Sequence, residues 1–171
     1  MSIDLLDSFG RKHNYLRVSI TDSCNFRCLY CMPEEPFSAT PSSKMMSADE
    51  VFGISKIRIT GGEPLVRRDF SEIITKLATL NVKLGITTNG VILDKYFDLF
   101  EETHIRDLNI SIDSLDRERF KSITKRDLYP KVWENILQSI ERGFNVKLNA
   151  VVMKGINDDE ILSLAELSHK Y

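Results

Sequence analysis

Five short segments of the chain alternate between apolar and polar residues, which is the pattern of β-strands with one buried face. Helical patterns lie between and after them, so the order is strand then helix, repeated about five times. That order predicts parallel strands joined by right-handed crossovers. The predicted strands are Leu16–Thr21, Lys56–Thr60, Lys83–Thr87, Leu108–Asp113 and Val146–Ala150.

The helices are predicted from apolar spacing and from end signals. One helical face carries Phe70, Ile73, Ile74 and Leu77. A second helix runs over residues 132–142, with Gly143 as its C-cap. Two pairs resemble capping boxes at helix starts, namely Ser47 with Glu50 and Asn157 with Glu160.

The region between the first two strands predicts two further features. The loop-like composition of residues 36–43 indicates a mobile lid beside the cysteines. The crossover over residues 47–55 has room for only about two helical turns, which is short for a parallel connection. We therefore expect either a truncated helix or missing residues there.

One face of the predicted sheet is polar, and this feature indicates the architecture. Parallel strands covered by helices on both faces read as continuous apolar runs, so a polar face must line a wet or charged space. An ordinary eight-stranded barrel fills its interior with Val, Ile and Leu. We therefore predict an α/β fold, a partial parallel β/α barrel with a polar lumen; an antiparallel sheet with one solvated face is the alternative. The polar positions include Arg17, Ser19, Arg58, Thr60, Thr87, Asn109, Ser111, Asp113 and Lys147.

Composition and charge narrow the class of protein. The 171 residues are 42% hydrophobic and 28% charged, with a formal net charge of −2, so nothing indicates nucleic acid or membrane binding. No apolar run approaches the roughly 20 residues of a membrane span. The first residues lack the features of a signal peptide, which predicts a cytoplasmic protein.

The three cysteines carry the candidate chemistry. They lie within eight residues, directly after the first predicted strand, as Cys24-Asn-Phe-Arg-Cys28-Leu-Tyr-Cys31. An odd and clustered set does not make a disulfide framework and indicates metal ligands or catalytic thiols. Three thiolates can each bind one iron of a cubane cluster and leave the fourth iron open. A zinc site completed by His13 is the alternative, although zinc favours shorter Cys spacings.

This run resembles the signature of the radical S-adenosylmethionine (SAM) superfamily, with Tyr30 as its aromatic residue. Thr60-Gly-Gly-Glu-Pro64 is similar to the superfamily's second motif, which contacts the methionine part of SAM. The resemblance implies a 4Fe-4S cluster held by Cys24, Cys28 and Cys31. It also implies reductive cleavage of SAM to a 5′-deoxyadenosyl radical, which takes a hydrogen atom from the substrate.

Further stretches resemble one family within it, the GTP 3′,8-cyclases of molybdenum cofactor biosynthesis. This resemblance implies that SAM is contacted by Tyr30, Gly62 and Ser111. It implies that GTP is contacted by Arg17, Arg58, Thr87 and Lys147. The strand pattern supports these GTP contacts separately from the resemblance. It places the three cations on the predicted lumen face, where their charges suit a triphosphate. The resembling stretches are Asp7–Arg17, Cys31–Glu35, Arg58–Asp69, Thr87–Gly90 and Val152–Glu160.

The resemblance also implies partners and extent. It implies GTP as the small-molecule substrate, a reductant protein such as flavodoxin or ferredoxin, and it allows a homodimer. Members carry a second cysteine triplet and a Gly-Gly tail, which these 171 residues lack, so residues 1–171 are expected to be a radical SAM core domain without the second-cluster region. Two alternatives stay open: a radical SAM enzyme acting on a peptide or tRNA, and a zinc-binding interaction module.

Overall fold

The computed structural model describes residues 6–31 and 54–171. The strands in these ranges are β1 (Tyr15–Ser19), β2 (Lys56–Thr60), β3 (Lys83–Thr88), β4 (Asp107–Ser111) and β5 (Asn145–Asn149). The α-helices are α1 (Phe70–Ala78), α2 (Phe97–Glu102), α3 (Arg117–Thr124), α4 (Tyr129–Glu141) and α5 (Ile161–Lys170). Short 3₁₀ turns cover Pro64–Val66, Leu93–Tyr96 and Asp158–Glu160.

The described strands form one open parallel sheet in the order β1-β2-β3-β4-β5, each paired with the next along the chain. The predicted strands are confirmed with no end displaced by more than two residues, and the antiparallel alternative is wrong. The sheet is not closed, which fits a partial barrel. The predicted lid over residues 36–43, the capping box of Ser47 with Glu50 and all but the last two residues of the short crossover lie outside the described residues.

The sheet has one apolar and one polar face, because parallel pairing sets equivalent side chains next to each other. Ile59, Ile86 and Leu108 form one cross-strand row and are fully buried. Buried residues of α1, α2 and α4 belong to the same hydrophobic core. On the other face Arg17 lies beside Arg58. The predicted division into a helix-covered face and a polar face is confirmed.

The helix ends follow their local sequence. α1 matches its predicted apolar face, and α4 starts at Tyr129, earlier than predicted, with proline in its first turn. Gly143 follows α4 with φ 74°, the left-handed conformation expected after a helix. Asp116 caps the N-terminus of α3, and its side chain accepts a 2.8 Å hydrogen bond from the Arg119 amide.

The predicted capping box of Asn157 with Glu160 is wrong. Asn157 precedes the turn Asp158–Glu160, but its side chain makes no capping bond there. Instead the Asn157 amide and the Glu160 carboxylate bind residues more than 40 positions earlier in the chain. Among the described helices, none is long and apolar enough to cross a bilayer.

Candidate functional site

The cysteine loop follows β1 and is fixed against α3. The amide of Arg27 donates to the carbonyl of Thr124, and the amide of Leu29 donates to the carbonyl of Ile123, both at 3.0 Å. Phe26 is buried and meets Phe120 edge to face, with ring centroids 5.8 Å apart. The apolar anchor and the backbone bonds therefore hold the loop that carries the thiols.

The three thiols face one cavity of about 170 Å³ at the carboxyl ends of the strands, where parallel α/β folds bind ligands. Cys24 and Cys28 are partly buried, Cys31 is exposed, and all three are free. The Sγ of Cys24 accepts from the amide of Phe26 at 3.4 Å, and the side-chain amide of Asn89 lies 3.9 Å away. Such donors to a ligand sulfur are typical of iron–sulfur sites.

The electrostatics argue against a nucleophilic role for Cys24 and Cys28. Burial raises the pKa of the Cys24 thiol, and burial with the charge of Asp113 raises the pKa of Cys28 to about 12. Catalytic thiols instead have a lowered pKa, because the thiolate is the nucleophile. A metal centre overcomes a raised pKa, since coordination replaces the proton.

The donor set fits a cubane cluster. Among the described residues, no group of three or more His, Cys, Asp or Glu side chains is arranged to hold a single metal ion. His13, the zinc alternative's fourth ligand, lies 3.4 Å from a carboxylate oxygen of Asp7. A cubane cluster makes a different demand, because each thiolate binds its own iron. Three free cysteines around one cavity, with N–H donors at Cys24, supply what such a cluster needs.

The Gly-Gly-Glu turn after β2 lies directly against the segment that leads into the cysteine loop. The amide of Gly62 donates to the carbonyl of Thr21 at 2.6 Å, and that of Glu63 donates to Ser23 at 2.8 Å. A Cβ on Gly62 would lie 2.5 Å from the carbonyl oxygens of Asp22 and Ser23. The approach therefore requires glycine, and the turn presents bare backbone to the cavity.

Glu63 joins this turn to the end of β3. It is 1% exposed, and its carboxylate accepts from the Thr88 hydroxyl at 2.7 Å and from the Asn89 amide at 2.6 Å. Burial raises its pKa to about 7, although the bonds from Asn89, Thr88 and Leu65 act in the opposite direction. Sequence reasoning assigned no role to Glu63 beyond its motif or to Asn89, although both lie in the resembling stretches.

Tyr30 and Asp113 connect the cysteine loop to the end of β4. The Tyr30 hydroxyl donates a 2.6 Å hydrogen bond to Oδ2 of Asp113. Burial and this bond raise the pKa of Tyr30, so the hydroxyl remains a donor. Asp113 was predicted only as a polar position of the sheet; its link to the cysteine loop joins residues 83 positions apart and has no local sequence signal.

The structure separates the predicted site residues into two groups. Tyr30, Gly62, Thr87 and Ser111 line the same cavity as the cysteines. The three predicted lumen cations are not among the described residues that line this cavity; they are Arg17, Arg58 and Lys147.

The cations share the polar face but lie at different places on it. Arg17 and Arg58 are cross-strand neighbours, whereas Lys147 on β5 lies three strand spacings, about 14 Å, across the sheet from Arg58 and two residues further along the strand direction. Arg58 is buried; its Nε donates to the Tyr15 hydroxyl at 3.1 Å, and Gly85 on the next strand leaves room for the guanidinium. Lys147 also borders a second cavity of about 510 Å³ between α4, β5 and α5.

Comparison with known proteins gives consistent matches. The model of the Radical SAM superfamily matches residues 18–168. The chain is 43% identical to a GTP 3′,8-cyclase of Campylobacter jejuni over 96% of the chain and 55% of that protein. It is also 43% identical to molybdenum cofactor biosynthesis protein 1 of Homo sapiens, over 96% of the chain and 28% of that protein. The chain thus spans about half the length of the bacterial cyclases it matches.

Solved structures with much lower identity share the fold. Streptococcus suis SuiB bound to S-adenosylmethionine aligns with a TM-score of 0.72 at 19% identity, over 92% of this chain and 36% of that one. Methylornithine synthase aligns with a TM-score of 0.65 at 15% identity, over 91% of this chain and 50% of that one. At these identities the likeness concerns the partial-barrel architecture alone.

Proposed function

The chain belongs to the radical SAM superfamily, and from this we propose that it is the cluster-binding and cofactor-binding core of a GTP 3′,8-cyclase. The superfamily's cofactors are a 4Fe-4S cluster and SAM. The observation that carries the proposal is the single cavity onto which the cysteine loop, the Gly-Gly-Glu turn, Thr87 and Ser111 all open. Identity of 43% to named cyclases supports this reaction over others in the superfamily.

In this proposal Cys24, Cys28 and Cys31 would hold the cluster, and with three protein ligands it would keep a coordination position open for SAM. When bound, the cluster supplies the electron that cleaves SAM to methionine and the 5′-deoxyadenosyl radical. The protein holds the thiols at fixed positions through α3 and keeps Cys24 and Cys28 partly buried. Burial limits the access of water and oxygen to the centre.

SAM would lie between the Gly62 turn, Ser111 and Tyr30. The turn has no side chain at Gly62, so its backbone can approach the cofactor closely. Ser111, at the end of β4, offers a hydroxyl to the same cavity. The Tyr30 hydroxyl is bonded to Asp113, which leaves the ring and the backbone of Tyr30 for the cofactor.

GTP would lie on the polar face next to this cavity. Thr87 supports this arrangement, because it lines the cysteine cavity and also stands in one cross-strand row with Asn109 and Lys147. Arg17 and Arg58 supply adjacent positive charge on β1 and β2. Guanidinium and ammonium groups spread over the face match the several charges of a triphosphate.

The decisive test is an anaerobic assay of the full-length protein with dithionite, SAM and GTP, reading 5′-deoxyadenosine and the cyclised nucleotide separately. We expect GTP-dependent formation of both. Cleavage of SAM with a peptide or tRNA substrate but not with GTP would move the protein to another reaction of the superfamily. A zinc-loaded protein without acid-labile sulfide would overturn the cluster. The flavodoxin or ferredoxin reductant, the homodimer and the cytoplasmic location stay predictions.

A further inference from the structure

Asp113 lies between the cysteine loop and the loop that follows β5. Its carboxylate serves both, since Oδ2 accepts from the Tyr30 hydroxyl at 2.6 Å and Oδ1 accepts from the Val151 amide at 2.9 Å. The residue is 4% exposed. A buried carboxylate is costly unless donors satisfy it, so both bonds matter to its position.

Asn157 fixes the loop after β5 to the same place. It is fully buried, and its Nδ2 donates to the carbonyls of Asp113 at 2.6 Å and Val151 at 2.9 Å. Its Oδ1 accepts from the Met153 amide at 2.6 Å. The side-chain amide therefore holds the chain on both sides of the Asp113–Val151 contact, which makes that contact rigid.

Tyr30 is the point at which this network reaches the metal ligands. It lies between Cys28 and Cys31, and Cys31 is exposed. The backbone bonds to α3 reach the loop at Arg27 and Leu29, before Tyr30. The Tyr30–Asp113 bond is therefore placed to set the position of the last turn of the loop.

We propose that Asp113 is a positioning residue which, through the Tyr30 hydroxyl, holds the Cys28–Cys31 turn in register with β4 and with the loop after β5. This inference rests on the proposed function, because it assigns Asp113 an effect on the cluster and on bound SAM. Ser111, the proposed SAM contact on β4, is two residues before Asp113, so one short segment positions both the cofactor and the cysteine turn. The charge of the carboxylate strengthens the bond from Tyr30.

The test is a double-mutant cycle with Tyr30→Phe, Asp113→Asn and the double variant, made in the full-length protein. Tyr30→Phe removes only the hydroxyl, and Asp113→Asn replaces the charged acceptor while keeping an oxygen for Val151. Two quantities are measured anaerobically: the rate of iron release to a chelator and the dissociation constant of SAM. We expect each single change to speed iron release about tenfold, since a charge-assisted hydrogen bond is lost.

The double variant distinguishes positioning from direct contact. If Tyr30 acts through Asp113, removing its hydroxyl in the Asp113→Asn background changes both quantities by less than about threefold. Independent effects, which would multiply to about a hundredfold, would overturn the proposal, and so would unchanged iron release in both single variants.

Tyr96→Phe is the matched control, because its hydroxyl donates at 2.9 Å to the Leu65 carbonyl and does not contact the cysteine loop. It should lower the unfolding midpoint about as much as Tyr30→Phe and leave iron release unchanged.

The metal-free protein separates this inference from the proposed function. There, alkylation rates of Cys28 and Cys31 report how firmly the turn is held, and Tyr30→Phe should raise them in the parent but not in the Asp113→Asn background. If the parent protein assembles no cluster but shows this coupling, the proposed function is wrong and the positioning role of Asp113 stands. If the parent protein cleaves SAM but Tyr30 and Asp113 show no coupling, only the positioning role of Asp113 is wrong.

Discussion

The backbone amide of Asn89 donates a 2.6 Å hydrogen bond to Oε2 of the buried Glu63. The bond joins the turn after β2 to the end of β3. The side chain of the same residue lies near the Cys24 sulfur. Glu63 therefore stabilises two walls of the cavity at once while its carboxylate is removed from water. This arrangement makes the stability of the site depend on the protonation of one carboxyl group.

The pH dependence of stability follows from that burial. The unfolded chain releases the Glu63 proton near its ordinary pKa of 4.5, whereas the folded protein retains it until about pH 7. Between these two pH values the folded state binds more protons than the unfolded chain. The free energy of unfolding therefore falls as pH rises, by at most about 1.4 kcal/mol per pH unit. Urea unfolding of the parent and of Glu63→Gln from pH 5 to 8 measures this contribution as the difference between the two curves. Parallel curves would contradict the raised pKa.

Gly62→Ala should weaken SAM binding and destabilise the fold by about 1–3 kcal/mol, because its Cβ would press on the carbonyl oxygens of Asp22 and Ser23. Calorimetric titration with SAM and thermal unfolding measure the two effects. Gly143→Ala is the control: it strains a residue with φ 74° after α4, where a Cβ meets no atom within 4 Å. It should lower stability but leave the SAM affinity intact. Equal SAM affinity in both variants would show that the turn does not contact the cofactor.

Two features of the site follow from the sequence alone. The period-two alternation of the strands placed Arg17, Arg58 and Lys147 on one face, and the pairing register confirms it, because parallel strands keep equivalent positions side by side. The position of the cysteines directly after the first predicted strand is likewise confirmed, because the cysteine loop follows β1. Both features depend on short-range patterns, which a linear sequence records directly.

The network behind the site could not be predicted in this way. Asn157 and Glu160 have the spacing of a capping box, but Asn157 binds Asp113 and Glu160 binds Ser114, 44 and 46 positions earlier in the chain. Local spacing could not distinguish a capping residue from one that forms long-range hydrogen bonds, because Asn and Glu side chains suit both. The hydrogen bond between Glu63 and Thr88 could not be predicted either, because it joins two strand ends that are distant in the sequence.

Cys28→Ala should abolish the brown colour of anaerobically purified protein and its broad visible absorption. Two thiolates cannot hold a cubane cluster, and Cys28 is partly buried at the cavity wall. Iron and acid-labile sulfide analysis after reconstitution gives the quantitative measure. Ser122→Ala on α3 is a suitable control, because its exposed hydroxyl donates locally to the Arg119 carbonyl. Full iron content in the cysteine variant would reject the cluster assignment.

Arg17→Ala and Lys147→Ala, made in the full-length protein, should each weaken GTP binding while the cluster spectrum stays intact. Loss of one charge-assisted contact costs about 1.5–3 kcal/mol, which is roughly ten- to a hundredfold in affinity. Equilibrium binding of GTP to the reconstituted protein measures the effect. Lys76→Ala removes a cation that pairs with Glu72 on the exposed side of α1, and it should bind GTP like the parent. If all three variants bind alike, the phosphate site lies elsewhere.

The sequential order of the strands has a consequence for biosynthesis. Each described strand pairs with the one made just before it, so a nascent chain can extend the sheet in the order in which the ribosome delivers it. The cysteine segment emerges before β2 to β5, whereas Asp113, which accepts from Tyr30, and Val151, which donates to Asp113, emerge much later. We therefore expect cofactor loading to wait for translation past Asn157, and ribosome-arrested chains of increasing length would show Cys28 becoming protected only beyond that point.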